Sequence, residues 1–368
     1  GRIHHMVCGA HDRSRDTVMT MIDAAPWITR RRRRFPPEAW APLLCKATWD
    51  ETHDVRTFLL APVDGSRIDH DPGQFMTFQI DTPQGTVERC YTIASSASRD
   101  GGIEISVKRQ AGAGSAHLHE TLVPGATILA FGPSGRFGPV SWPGEKYTLI
   151  AAGTGITPIL SMLRTAADRG IALDATLIHV SPTEADLIAT QEIALLSRRL
   201  PHLTYVPIIT RGPGASRPSA GLLNSLAPGL ADSTVLCCGP QSFMEMVRAA
   251  ARDAGVPPER YGEESFDFSS PEAEITPAAD TPVRSISFAR TGKTFECAET
   301  TTILSAVKAA GLPLPSSCAR GMCGTCKIFK HSGEVTMAHE GGIRQREIDR
   351  GFILPCVSRP LTDIVLDC

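Results

Sequence analysis

Hydrophobic residues in the first part of the chain occur in short runs that glycine, proline and aspartate interrupt. Such runs cover residues 55–60, 73–80, 87–95, 103–109 and 127–132. Short runs bounded by turn residues are typical of β-strands, and a succession of them without helical periodicity indicates an antiparallel barrel or sandwich. We therefore predict an antiparallel β-domain over residues 42–142.

From Tyr147 onward, apolar strands alternate with segments of helical periodicity. The predicted strands cover residues 147–152, 174–180, 203–210 and 233–238, and the predicted helices cover 158–170, 188–200 and 242–255. Strands that alternate with helices indicate a parallel α/β sheet. We assign residues 143–268 to this second domain.

Two further stretches separate and flank these domains. Residues 269–283 are rich in proline, alanine and acidic residues, and they lack an apolar pattern, which predicts a linker. Residues 284–368 form a third, smaller unit. Residues 1–41 show no clear periodicity, and we treat them as an N-terminal extension without an assigned role.

Composition and charge exclude several function classes. The 368 residues are 42% hydrophobic and 21% charged with a net charge of −2, which is ordinary for two or three domains. No apolar run approaches the roughly 18 residues of a membrane helix, so we expect no membrane partner. Five consecutive arginines at 30–34 have no supporting aromatic or basic neighbours. We interpret them as a solvated tail rather than a nucleic-acid surface.

The eleven cysteines are unevenly distributed. A chain of this length buries a core without disulfides, so the clustering favours metal or redox use over a secreted scaffold, and we expect a cytoplasmic protein. One group follows the pattern Cys-x4-Cys-x2-Cys with a distant fourth member, namely Cys318, Cys323, Cys326 and Cys356. This spacing is that of plant-type ferredoxins and predicts a 2Fe–2S cluster. A zinc site is the alternative, but zinc sites usually pair two cysteine hooks, and Cys356 stands alone.

A cluster that carries single electrons needs a donor, and the β-domain holds a candidate site for one. The strand segment Arg89-Cys90-Tyr91-Thr92-Ile93-Ala94-Ser95-Ser96 resembles the flavin motif of the ferredoxin–NADP reductase superfamily. The resemblance implies that Arg89 binds a flavin phosphate, Tyr91 stacks on the isoalloxazine ring, and Thr92 donates a hydrogen bond near the flavin N5. It implies further cofactor contacts from Ser95, Val107, Lys108, Gly114 and Ser115.

The identity of the flavin follows from the second phosphate element, Gly112-x-Gly114-Ser115, which precedes a predicted helix. Backbone N–H groups at such a position suit a pyrophosphate better than a single phosphate, so the resemblance favours FAD over FMN. FMN-binding relatives share the Arg-x-Tyr-Thr pattern, which leaves FMN as the alternative.

The α/β domain carries two glycine-containing turns. The turn Gly153-Thr154-Gly155-Ile156-Thr157-Pro158 follows an apolar strand and opens a helix, and Cys238-Gly239-Pro240 ends a later strand. The glycines permit a tight turn and close approach to a pyrophosphate. In this superfamily the second turn lies against the nicotinamide, and Phe266 matches the aromatic residue that covers the flavin until the nicotinamide displaces it. The resemblance therefore places Cys238, Thr92 and Phe266 nearest to the chemistry.

The nicotinamide preference depends on the loop after the strand at 174–180. A site that binds the 2′-phosphate of NADPH would be expected to place an arginine there, whereas this chain has Glu184 and Asp186. We therefore predict NADH. Arg211 and Arg217 on the next loop keep NADPH as an alternative.

Taken in order, the motifs resemble an iron–sulfur flavoprotein reductase with a flavin-binding barrel, an NAD-binding α/β domain and a C-terminal β-grasp ferredoxin domain. The nearest type is the reductase component of Rieske-type oxygenases that act on quaternary amines, of the glycine-betaine demethylase reductase type. The resemblance implies an oxidoreductase that passes electrons from NADH through flavin and a 2Fe–2S cluster to a terminal Rieske oxygenase. A hybrid-cluster-protein reductase is the alternative, and an electron carrier with a degenerate nucleotide site is the alternative from another class.

Basic residues around the cysteine loop are candidates for docking such an oxygenase. The set comprises Arg320, Lys327, Lys330 and Arg344. Transient electron-transfer contacts are small and partly electrostatic, so these residues either dock an acidic face of the oxygenase or form a solvated surface.

Overall fold

The computed structural model describes residues 25–29, 40–111, 114–266 and 281–368. Within the last range, residues 313, 315, 317–318, 320, 322–323, 325, 340–342 and 344 are not described. The arginine run at 30–34, Gly112, Cys318, Cys323, Arg320, Arg344 and most of the predicted linker therefore lie outside the described residues.

The β-domain is antiparallel, as predicted, and its sheet has six strands, one more than the five predicted runs. Its strands are β1 Ala41–Asp50, β2 Val55–Pro62, β3 Phe75–Thr82, β4 Gly85–Thr92, β5 Ile103–Lys108 and β6 Thr127–Ser134, and one helix, α1 Ser115–Thr121, follows β5. The strand order is β4-β3-β6-β1-β2-β5. Alternate side chains on these strands, including Phe58, Leu60, Phe78 and Ile105, fill a core that Leu118 of α1 covers.

The α/β domain is a five-stranded parallel sheet with helices, also as predicted. Its strands are β7 Lys146–Ala152, β8 Asp174–Ser181, β9 Leu203–Ile209, β10 Thr234–Cys238 and β11 Tyr261–Glu264, and its helices are α2 Ile156–Arg169, α3 Thr190–Arg199, α4 Ala220–Leu226 and α5 Gln241–Asp253. Sequence patterns missed the short elements α4 and β11. In the strand order β11-β10-β7-β8-β9, β8 and β9 are added on one side of β7, and β10 and β11 are added on its other side. Open parallel sheets bind their ligands at such a switch point, which here lies between β7 and β10.

The C-terminal domain has a mixed sheet of order β13-β12-β18-β14-β16 and a small β15-β17 ladder. Its elements are β12 Val283–Phe288, β13 Thr294–Ala298, α6 Ile303–Ala309, β14 Ile328–Ser332, β15 Val335–Met337, α7 Gln345–Ile348, β16 Phe352–Ile353, β17 Ser358–Pro360 and β18 Ile364–Leu366. The terminal strands β12 and β18 pair in parallel. Ile303 and Val307 of α6 pack on Ile286 and Ile364 of those strands, so the sheet holds the helix in the β-grasp manner expected.

A short piece of the N-terminal extension, residues 25–29, packs against both larger domains. Trp27 is 3% exposed and meets Tyr147 of β7 edge-on, with ring centroids 6.5 Å apart. Arg169 of α2 donates to the carbonyl of Trp27 at 2.8 Å and to Thr29 Oγ1 at 2.8 Å. The backbone N–H of Thr29 donates to Asp71 Oδ1 of the β-domain at 2.8 Å. This segment, to which the sequence patterns assign no role, therefore ties the β-domain to the α/β domain.

Among the helices of the described residues, none has the length and apolar character needed to cross a membrane.

Candidate active site

The end of strand β4 carries a buried hydroxyl group that lacks a partner. Thr92 is 4% exposed, and its Oγ1 makes no hydrogen bond with any described residue. Leaving a buried polar group unpaired costs about 1–3 kcal/mol, so a ligand atom at this position would remove a penalty. The position suits a cofactor that accepts a hydrogen bond, as the flavin motif implies for Thr92.

Arg89, three residues earlier on β4, lies against the backbone of Gly114. A Cβ on Gly114 would be 3.2 Å from Arg89 Nε and 3.3 Å from Arg89 Cγ, so a larger residue would push the guanidinium away. Ser115 Oγ accepts a hydrogen bond from the N–H of Gln110 at 3.0 Å, which holds the same loop. The strand and the loop thus bring a guanidinium and loop backbone together, as a shared phosphate site requires.

Tyr91 lies between these two positions and is half-buried. Its ring packs at a tilt against Phe78, with centroids 5.9 Å apart. Burial raises the pKa of Tyr91, against a weaker opposing effect of Arg89. The phenol therefore stays protonated at neutral pH, and its ring can serve as an uncharged stacking surface.

Three other predicted flavin contacts are engaged elsewhere. The side chain of Val107 lies in the β-domain core, and its carbonyl accepts a hydrogen bond from His119 Nε2 at 2.8 Å. Lys108 Nζ pairs with Asp54 at 3.0 Å, and Ser95 Oγ accepts from the N–H of Glu104 at 3.1 Å. Val107 points inward because side chains alternate along a strand, so only its backbone could reach a cofactor. A direct role of these three residues stays a prediction.

The first glycine turn follows β7 at the point where the sheet reverses its strand order. Gly153 has a φ of 55°, in the left-handed region, and Thr157 Oγ1 donates to the carbonyl of Thr154 at 2.9 Å. Helix α2 begins at Ile156, so Pro158 occupies the third helical position rather than the first. That position still lies in the first turn, where the backbone N–H has no intrahelical acceptor and proline removes nothing.

The second turn, at Cys238, Gly239 and Pro240, packs directly on the first. A Cβ on Gly155 would overlap the carbonyl oxygen of Cys238, so the two turns meet backbone to backbone. Burial, with smaller contributions from Glu264 and Cys237, raises the pKa of the Cys238 thiol well above its ordinary value. The thiol therefore stays neutral and cannot act as a thiolate. Because Cys238 is 0% exposed, a direct contact of its side chain with the nicotinamide stays a prediction.

Phe266 follows β11 and lies at the same edge of the sheet. Glu264, the last residue of β11, pairs with Cys238 in the parallel register, so Phe266 stands two residues beyond it. Its half-buried side chain packs on the core around α2. Sheet register thus brings together Cys238, Phe266 and the glycine turn.

Helix α2 joins this edge to the flavin strand through contacts that sequence reasoning missed. Ser161 Oγ donates to the carbonyl of Ser95 at 2.8 Å, and Arg164 Nη1 donates to the carbonyl of Ala94 at 2.8 Å. Arg164, 5% exposed, also pairs with Glu104 of the β-domain and Glu192 of α3. The sequence did contain a signal for these contacts, namely an arginine within an otherwise apolar helix, because a buried charge is costly and needs partners. These contacts set the position of Thr92 relative to the nicotinamide turn.

The predicted cluster site is partly described. Cys326 Sγ and Cys356 Sγ lie 3.2 Å apart, both residues are 3% exposed, and neither forms a disulfide with a described cysteine. Gly321 has a φ of 70°, and a Cβ on it would be 2.7 Å from Val357 Cγ2, which places the cysteine loop directly on the segment of Cys356. Two thiols that converge from distant parts of the chain fit ligation of one metal centre. Cys318 and Cys323 lie outside the described residues.

Comparison with known protein families matches all three domains. The Oxidoreductase FAD-binding domain matches residues 44–138, the Oxidoreductase NAD-binding domain 149–249, and the 2Fe-2S iron-sulfur cluster binding domain 287–361. The chain is 36% identical over 339 residues to the stachydrine N-demethylase reductase subunit of Rhizobium meliloti, across 89% of this chain and 96% of the relative. The chain belongs to the iron–sulfur flavoprotein reductases.

Other relatives of this reductase have similar extents. It is 32% identical over 344 residues to the glycine betaine monooxygenase reductase subunit of Pseudomonas aeruginosa, across 88% of the reductase and 94% of the relative. The crystal structure of phthalate dioxygenase reductase matches its fold with a TM-score of 0.58 and 24% identity, covering 90% of the reductase and 98% of that chain. An intact type IV self-sufficient cytochrome P450 monooxygenase matches with a TM-score of 0.69 and 22% identity, over 92% of the reductase and 43% of that chain.

The cofactor predictions are confirmed at the level of domains. The reductase is an oxidoreductase whose domains bind FAD, NADH and a 2Fe–2S cluster. The unpaired Thr92 hydroxyl, the Arg89–Gly114 contact and the Cys326–Cys356 pair fit these groups. The individual contact residues stay predictions.

Proposed function

We propose that this reductase transfers electrons from NADH through FAD and the 2Fe–2S cluster to the terminal oxygenase of a Rieske-type monooxygenase or demethylase that acts on a quaternary amine. The 36% identity with a stachydrine N-demethylase reductase subunit, over 89% of the chain, supports this function most directly. The glycine betaine relative supports the same substrate class. A cytoplasmic location stays a prediction from the cysteine pattern.

The described residues have distinct tasks in this transfer. Bound FAD supplies the conversion of a two-electron hydride donor into single electrons for the cluster. The Thr92 hydroxyl, which has no hydrogen-bond partner in the part of the chain that the structure describes, is available to hydrogen-bond the flavin, and Arg89 is available to its phosphate. The two turns at Gly155 and Cys238, which meet backbone to backbone, would orient the nicotinamide, and Cys238 would remain a neutral thiol.

The preference for NADH has a specific structural basis. Asp186 Oδ2 accepts hydrogen bonds from Thr183 N at 3.0 Å and Thr183 Oγ1 at 2.7 Å, so its carboxylate is held in the loop after β8. Glu184, in the same loop, is exposed. Two carboxylates at this loop would repel a 2′-phosphate, and a comparison of kcat/KM for NADH and NADPH tests the assignment. A higher kcat/KM for NADPH would refute it.

The decisive experiment for the oxygenase partner reconstitutes electron transfer with defined components. The holoenzyme and NADH are combined with the oxygenase component of a stachydrine or glycine betaine system, and substrate-dependent formaldehyde release is measured. The oxygenase of the 3-ketosteroid-9-alpha-monooxygenase system serves as the comparison, because its reductase component from Mycobacterium tuberculosis is 32% identical over 342 residues. We expect faster turnover with a quaternary-amine oxygenase.

Two variants separate the cluster from other thiols in the same assay. Cys356→Ser removes a predicted cluster ligand, whereas Cys297→Ser changes a cysteine that is also buried in the C-terminal domain but lies in β13. We expect turnover only with Cys297→Ser. Reduction of a hybrid-cluster protein without support of any Rieske oxygenase would replace the proposed function by the alternative.

A further inference from the structure

An ion-pair network connects the cluster-bearing domain to the β-domain. Arg136 Nη1, in the loop after β6, lies 3.4 and 3.5 Å from the two carboxylate oxygens of Glu347 on α7. Glu347 Oε1 also accepts from Lys327 Nζ at 2.6 Å. The side chains of Glu347, Lys327 and Arg136 are 18%, 21% and 32% exposed, so the network is partly exposed to water. Glu347 therefore bridges two domains that lie far apart in sequence.

Both ends of this bridge are close to the redox sites. Lys327 directly follows the predicted cluster ligand Cys326, and α7 precedes β16 and Cys356. On the other side, Ser134 at the end of β6 pairs with Phe75, and Phe75 pairs with Thr92 across β3. Arg136 thus lies two residues beyond Ser134, and only Phe75 of β3 separates Ser134 from Thr92 across the sheet.

A second contact joins the same two surfaces. Cys90 Sγ lies 4.0 Å from the carbonyl oxygen of Ser316. Cys90 is the residue between Arg89 and Tyr91 in the flavin motif, and Ser316 lies two residues before Cys318. Ser316 therefore lies against the flavin strand at one point, while Glu347 contacts Arg136 at another.

We propose that Glu347 is a positioning residue for internal electron transfer, and that it holds the C-terminal domain against the β-domain in the arrangement that brings the cluster to the flavin. This inference rests on the proposed order of electron transfer. The step it serves moves one electron from reduced FAD to the oxidised cluster, no covalent bond is made or broken, and NADH supplies the electrons. Partly exposed ion pairs are weak and screened by salt, which suits a domain that must also leave to reach an acceptor.

The network also changes the interpretation of the basic surface near the cluster. Lys327 is engaged by Glu347, and Lys330 Nζ donates to the carbonyl of Gly333 at 2.5 Å. Arg320 and Arg344 lie outside the described residues. An oxygenase that used Lys327 for docking would therefore have to share this ammonium group with Glu347.

The test uses Glu347→Gln in the holoenzyme, with Glu334→Gln, at an exposed position of the same domain, as the matched control. Stopped-flow absorbance follows flavin reduction by NADH, and freeze-quench EPR follows cluster reduction, with no oxygenase present. We expect Glu347→Gln to reduce flavin at the wild-type rate but to reduce the cluster about two- to fivefold more slowly. Added salt should slow cluster reduction in the wild type and have little effect in the variant.

Two further measurements distinguish positioning from a general structural role. Small-angle X-ray scattering should give a larger radius of gyration for Glu347→Gln than for wild type or Glu334→Gln. Arg136→Gln, which removes the β-domain partner of Glu347, should slow cluster reduction and enlarge the radius of gyration to a similar extent. Wild-type cluster reduction with wild-type salt dependence in Glu347→Gln overturns the inference, as does a slowed flavin reduction or a lost cluster signal. Because no oxygenase takes part, these results do not depend on the identity of the partner.

Discussion

Replacing Arg164 by methionine should separate the contribution of the domain interface from that of the cofactors. Arg164 is 5% exposed and makes three kinds of contact: with the carbonyl of Ala94 at 2.8 Å, with Glu104 at 2.9 Å, and with Glu192 at 2.8 and 2.5 Å. Methionine keeps much of the volume but removes the charge and every donor. Removing one partner of a buried ion pair costs about 3–5 kcal/mol. Since the Glu192 side chain is 35% exposed and can rehydrate, we expect the free energy of unfolding to decrease by about 3 kcal/mol, near the lower end of this range.

The pH dependence of this loss follows from Glu104. Burial raises the pKa of Glu104 above its ordinary value of 4.5, and Arg164 opposes that shift. Without Arg164 the pKa rises further, so ionising Glu104 becomes more costly in the folded protein. A carboxyl with a raised pKa stabilises the folded state less as pH rises from the unfolded pKa through the folded one. Arg164→Met should therefore lose more stability at pH 8 than at pH 5.

Thermal unfolding and stopped-flow kinetics provide the measurements. A decrease of about 3 kcal/mol in the free energy of unfolding corresponds to a decrease in Tm of roughly 6–12 °C if the β-domain and the α/β domain unfold as one unit. Because Arg164 holds Ala94, two residues beyond Thr92, flavin reduction by NADH should slow by at least about tenfold. The matched control is Arg99→Gln, since Arg99 joins the same domains through Asp168 of α2 at 2.9 Å but is 45% exposed and should cost about 1 kcal/mol or less. Equal effects of the two substitutions, or a loss that does not depend on pH, would refute the reasoning.

Three shorter predictions concern the other sites. Trp27→Ala should destabilise the protein by about 3 kcal/mol, measured by thermal unfolding, because it empties a buried position against Tyr147; an unchanged Tm would contradict the packing. Gly155→Ala should raise the KM for NADH at least about tenfold, since its Cβ would overlap the Cys238 carbonyl. Gly221→Ala, in α4 at a position where a Cβ meets no atom within 4 Å, should leave the KM unchanged. Cys356→Ser should remove the EPR signal of the reduced cluster while NADH still reduces the flavin, and a retained signal would exclude Cys356 as a ligand.

Features encoded by neighbouring residues were predictable from the sequence alone. Short apolar runs bounded by turn residues predicted five of the six β-domain strands, and the alternation of strands with helical periodicity predicted the parallel sheet. The Cys-x4-Cys-x2-Cys spacing that ends at Cys326, together with the distant Cys356, predicted the cluster. The number and type of ligands can be read from the sequence because the cysteines themselves are the ligands. The glycine turn after β7 was predictable for the same reason, since a left-handed residue such as Gly153 leaves a local signature.

Features that depend on packing between distant segments were decided by the tertiary structure. The resemblance assigned both Thr92 and Val107 to flavin contacts, but the sheet turns the Val107 side chain into the core and leaves the Thr92 hydroxyl buried, with no hydrogen-bond partner among the described residues. Arg136 and Glu347 are 211 positions apart. Trp27 lies in a stretch without periodicity. The partner of a buried charge or an isolated aromatic ring is set by how domain surfaces meet, and local periodicity contains no information about that geometry.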